Sequence, residues 1–93
     1  MAASDRTLQE LTTALAPEDV LARAKQFFSE RSSLYATFLD REGPGFATFR
    51  GQGGEELVIA ATAKDGATLV TGSTYLFDMQ VARFLSTLPA VAP

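Results

Sequence analysis

Carboxylates, tyrosines and glycines are the residues of this chain with chemical potential, because it contains no cysteine and no histidine. That removes thiolate nucleophiles, disulfides, the commonest general base and the commonest transition-metal ligand. The remaining candidates gather at Arg41 to Glu56, REGPGFATFRGQGGEE, where Gly43, Gly45, Gly51, Gly53 and Gly54 account for five of the chain's seven glycines. Asp40 and Glu42 flank the first glycine turn, and Glu55 and Glu56 follow the second. Paired carboxylates perform acid–base catalysis when a cleft drives their pKa values apart. Turns of this kind build no cleft, so four solvated acids are expected. A calcium loop would need alternating oxygen ligands, which are missing here. A phosphate loop would need its glycines to end in Lys-Ser/Thr at a helix N-terminus, whereas these run into two glutamates and a strand. No catalytic residue, metal ligand or cofactor is assigned.

Gly45-Phe46-Ala47 matches the start of the aromatic motif of RNA-binding sheets. Thr48 and Gly51 then stand where that motif needs aromatics, and the net charge is −3. Binding to nucleic acid rests largely on phosphate neutralisation, so nucleic-acid partners are excluded. Arg50 is expected beside Phe46 and Thr48 on one strand face, within reach of Glu55 or Glu56. An enzymatic role would require a buried carboxylate near Tyr35, Ser73 or Tyr75.

A length of 93 residues with 46% hydrophobic and 20% charged residues indicates one folded domain rather than a disordered chain. No apolar run approaches a bilayer span. The opening MAASDRTLQE lacks the basic and apolar regions of a signal peptide. The expectation is a soluble cytoplasmic protein with no membrane partner.

The elements that must position these residues follow from periodicity. Leu8, Leu11 and Leu15 lie at helical spacing, with Thr7 and Glu10 as a capping box, and predict an amphipathic helical extension over residues 1–16. Pro17 opens a second helix running to Arg31, with Val20, Leu21, Ala24, Phe27 and Phe28 on an arc of about 120°. The period then falls to two. Leu34, Ala36 and Phe38 alternate with Tyr35, Thr37 and Leu39, and GFATFR, EELVIAATAK and ATLVTGSTY supply three further strands. Asp65-Gly66 predicts a two-residue hairpin, whose type I′ turn needs positive φ at both positions. That hairpin sets Lys64 opposite Ala67, Ala61 opposite Val70 and Ile59 opposite Gly72. One face collects Leu57, Ile59, Ala61 and Val70 to seat the helices, with Gly72 allowing close approach. The other collects Val58, Ala60, Thr62, Leu69, Thr71, Ser73 and Tyr75. Asp78 is the expected N-cap of a last helix bearing Phe77, Val81, Phe84, Leu85 and Leu88, which Pro89 ends.

The fold class is therefore α+β: a single antiparallel meander of about four strands, with an N-terminal and a C-terminal helix on one face and a short extra N-terminal helix. Residues 17–89 form the domain and 90–93 a loose tail. The segments ATLVTGSTYLFD and VARFLSTLP resemble the C-terminal part of the helix-grip superfamily, the START or polyketide-cyclase-like proteins, in the gross layout of a small bacterial-type domain. That resemblance implies a helix gripping a curved sheet over an apolar cavity, here lined by Phe77, Val81, Phe84 and Leu85, and a hydrophobic small molecule as ligand. The residues themselves favour a different reading. Val58, Ala60, Leu69, Thr71 and Tyr75, with either Phe46 or Phe49, mark an uncovered apolar face of a kind monomers rarely expose. The leading expectation is a non-enzymatic binding or assembly module that forms a homodimer or docks onto another protein through that face. The hydrophobic-ligand carrier is the alternative.

Overall fold

A computed structural model of the chain describes residues 6–31, 37–51, 53 and 55–91. Its elements are β1 (Arg6–Thr13), α1 (Pro17–Lys25), a π-helical segment (Gln26–Arg31), β2 (Phe38–Gly43), β3 (Phe46–Arg50), β4 (Glu56–Lys64), β5 (Ala67–Tyr75) and α2 (Asp78–Ser86). The strands form one antiparallel sheet in the order β1-β5-β4-β3-β2. The α+β class holds, with five strands where about four were expected.

The added strand is β1, and it corrects the reading of residues 1–16 as a helix. Leu8, Leu11 and Leu15 fit a helical stripe, but that stripe is narrow and buries little. As a strand, Arg6 to Thr13 pair without a register shift along β5 from Tyr75 to Thr68. This satisfies the backbone of an edge that would otherwise be bare, and sheet pairing overrides the local helical period. The pleat then separates the leucines. Leu11 packs on the core with Leu15, while Leu8 turns outward and is 63% exposed. Thr7 is no capping residue; its hydroxyl donates to Asp78 Oδ1 at 2.7 Å.

Helix α1 starts where Pro17 pre-sets φ and supplies no N–H that would need a partner. The amides of Asp19 and Val20 bond to the Ala16 carbonyl at 3.0 and 3.1 Å. Val20, Leu21 and Ala24 face the sheet and are buried. The expected single helix to Arg31 changes winding at Gln26, and the π-helical segment brings Phe27 and Phe28 to the core together. Phe28 lies 5.3 Å from both Phe49 and Phe84 between ring centroids, and Phe27 lies 5.5 Å from Phe84. These contacts join the first helix, the middle of the sheet and α2. Tyr35, Leu34 and Ala36 of the expected first strand lie outside the described residues, and β2 begins at Phe38.

The β4–β5 hairpin follows the predicted register from Lys64↔Ala67 to Glu56↔Tyr75. Asp65 and Gly66 have φ of 52° and 80°, as a type I′ turn requires. Leu57, Ile59, Ala61 and Val70 lie buried beneath the helices. At Gly72 a Cβ would stand 2.4 Å from Val81 Cγ1, so α2 rests directly on the backbone of β5. Asp78 is the first residue of α2 rather than its cap; the cap position is Phe77 and carries no side-chain cap bond. The start of the expected loose tail is tied down, because Ala90 bridges Thr13 and the Thr13 hydroxyl donates to the Pro89 carbonyl at 2.6 Å.

Buried threonines fasten the loops to this framework. Thr68 donates to the Leu15 carbonyl, and Thr74 donates to the Glu56 carbonyl at 2.8 Å while accepting from the Phe77 amide at 3.2 Å. Among the described residues no buried side-chain polar atom lacks a partner. No helix among them is long and apolar enough to cross a membrane.

Candidate functional site

Cross-strand pairing places residues on faces without ambiguity, since paired residues share a face. The face turned away from the helices therefore reads in rows. Phe38, Arg50, Glu56 and Tyr75 form one, and Arg41, Thr48, Val58, Ser73 and Leu8 the next. Phe46, Ala60, Thr71 and Glu10 follow, then Thr62, Leu69 and Thr12. No described element packs over this face. Val58, Ala60, Leu69 and Thr71 are half-buried by their neighbours alone, and Tyr75 is 39% exposed. All five residues singled out from the sequence thus sit together on one surface.

Two apolar members of the surface, Leu8 and Phe38, escape the sequence reading, and a third, Phe46, is left open by it. Leu8 was hidden by its helical spacing, although the β-branched residues Thr7, Thr12 and Thr13 are a strand signal. Phe46 was placed only as one of a pair, Phe46 or Phe49. Its partner Phe49 is fully buried in the core. Phe38, 49% exposed, lies on the outermost strand. Beyond Tyr75 the chain turns through Leu76, whose φ of 78° is unusual for a residue with a side chain and whose side chain is exposed.

Several of the charged groups on and around the surface are paired. Arg50 Nε lies 3.0 Å from Asp40 Oδ2, and its Nη2 lies 4.0 Å from Glu56 Oε2. On the helix side Lys25 Nζ meets Glu42 Oε1 at 2.7 Å. Glu55 turns back into its own loop and accepts from the Gly53 amide at 2.8 Å, while the Gly51 amide bonds to the Glu55 carbonyl at 2.9 Å. A Cβ on Gly51 or Gly53 would fall 2.6 or 2.8 Å from that carboxylate. The glycines of this turn make room for the protein's own glutamate. All four flagged acids are therefore engaged in surface ion pairs or a turn. The buried polar side chains among the described residues are threonines, with no carboxylate. Nor do those residues contain a cluster of three or more potential metal ligands.

Phe77, Val81, Phe84 and Leu85 are all buried and fill the interface between α2 and the sheet. The recess in this region lies elsewhere, between the first helix and α2 on their outer side. It has a volume of about 260 Å³ and is lined by Arg23, Gln26, Phe27, Phe84 and Thr87. Arg23 Nη1 reaches the Thr87 carbonyl at 3.5 Å across it.

Comparison with protein-family models, with curated proteins and with solved structures finds no match to this chain.

Proposed function

We propose that this protein is a non-enzymatic binding and assembly module, which associates with its own copies or docks onto another protein through the open face of its sheet. The observation that carries this reading is the face itself. Leu8, Phe46, Val58, Leu69 and Tyr75 share a surface over which no described element packs, while the described helices lie on the opposite side. An antiparallel sheet tolerates water on one face when that face is polar. This one carries large aliphatic and aromatic side chains at its centre and ends, with polar threonines, serine and paired charges between them. Such a mixture suits an interface, where an apolar centre excludes water and a polar surround sets register.

Val58→Glu and Leu69→Glu are expected to leave urea denaturation almost unchanged, because both side chains already lie on the water-facing side. A photo-crosslinking residue at Leu69 should form a defined adduct with one protein, identified by mass spectrometry, and Val58→Glu should abolish it. The same probe at Ala82, on the exposed side of α2, is the control. Adducts no stronger at Leu69 than at Ala82, in a protein that sediments as a monomer at high micromolar concentration, would end the proposal.

A further inference from the structure

We infer that a second copy of this chain pairs antiparallel along the free edge of β1, joining two five-stranded sheets into one of ten strands. The inference rests on the assembly reading above and divides it: the copy takes the edge, and the open face remains for a different protein. The two edges of the sheet are unlike. β2 is six residues long and its register slips between Leu39 and Arg41, a bulge of the kind that blunts an edge against further pairing. β1 runs for eight residues with unbroken register against β5. Among the described residues, the only bridge on its outer side is made by Ala90 at Thr13. That bridge is at the last residue of β1, and no described residue pairs with the outer side of residues 6–12.

The sequence of this edge is self-complementary in one register. Pairing about a two-fold axis at Leu8 sets Arg6 opposite Glu10 of the second copy, Thr7 opposite Gln9 and Leu8 opposite itself. Residues of opposite charge then hold facing register positions twice, and the exposed leucines meet at the axis. A slide of two residues either way puts Leu8 against Glu10 or Arg6. A slide of one turns the open face of one copy to the helix side of the other. The register about Leu8 also stops short of Ala90.

The helices allow it. α2 lies against both β5 and β1. Its first residue is held by Thr7 and Gln9, either side of the proposed axis, and the chain just past its far end is tied to Thr13, so the two α2 helices would meet at their first turns and run apart beyond them. Met79, in the first turn of α2, is 74% exposed.

Charge exchange tests the register. Sedimentation should show dimers for the wild type, with Glu10→Arg and Arg6→Glu each weakening association at least about tenfold, since both copies carry the altered pair. The double variant R6E/E10R should restore it. Circular dichroism and urea denaturation of each variant establish that the monomer fold is intact. Failure of the double variant to restore dimers in a folded protein overturns the inference. A dimer indifferent to the exchange but lost in Val58→Glu would mean that copies meet face to face, which also overturns it and leaves the open-face reading standing. A monomeric wild type whose Leu69 probe captures another protein rejects the edge alone. A monomer with no adduct rejects both.

Discussion

Two glycines in this chain do different work, and the same substitution should separate them. At Gly72 the limit is space, because an added Cβ would overlap Val81 Cγ1 at 2.4 Å. Gly72→Ala is expected to destabilise by about 1–3 kcal/mol, as overpacking does. Val81→Ala should recover part of that loss in a double-mutant cycle read by urea denaturation. At Gly66 there is open space around the Cβ position, and the limit is backbone, with φ of 80°. Gly66→Ala should therefore cost about 1 kcal/mol, with no neighbour able to compensate. Thr74 offers a third case. Its hydroxyl both donates to the Glu56 carbonyl and accepts from the Phe77 amide, binding the start of β4 to the corner before α2. Thr74→Val keeps the shape and removes both hydrogen bonds in a buried place, so a loss of about 1–3 kcal/mol is expected.

Among the elements β1 is the informative one, because its sequence supports two periods and only one of them is used. Leu8 and Leu11 would lie on the same stripe of a helix and respond alike to substitution. On a strand they lie on opposite faces, with Leu11 against the core and Leu8 in water. Leu11→Asp is therefore expected to cost about 2 kcal/mol or more through burial of an unpaired charge, while Leu8→Asp should change monomer stability by no more than about 0.5 kcal/mol. Equal effects of the two substitutions would contradict the strand. The first helix shows a milder version of the same conflict. Its apolar arc was readable from Val20 to Phe28, but the change to π-helical winding at Gln26 was not. That change depends on where Phe49 and Phe84 wait to receive the two rings, and both belong to distant parts of the chain.

At the scale of the whole molecule the two ends of the chain are interlocked. Thr7 bonds to Asp78, the Gln9 amide donates to the Asp78 carbonyl at 3.0 Å, and Thr13 bonds to Pro89. Deleting residues 1–13 would strip the edge of β5 and release both ends of α2. Loss of the cooperative urea transition is the expected result, whereas a peripheral helical extension could be removed with little effect. Far-UV circular dichroism through the transition distinguishes the two. The sequence by itself determined what short-range physics controls. Asp65-Gly66 dictated the hairpin and hence which of Leu57 to Tyr75 face the helices. The alternation of β4 and β5 separated the core face from the open one, and Pro17 and Pro89 marked helix limits. The glycine-rich stretch was also legible as turns rather than as a phosphate or RNA loop, through the charges and missing aromatics around it. Only the tertiary structure decided the fate of residues 6–13, the role of the glycines before Glu55 and the membership of the open face at its β1 and β2 margins. The strand and the margins depend on partners on other elements, the bare edge of β5 for β1 and the cross-strand neighbours of β3 for Phe38, while the glycines depend on the way Glu55 folds back into its own turn. A local period says which side chains can share a surface, but the choice between two periods is made by whichever one finds an unpaired backbone to satisfy.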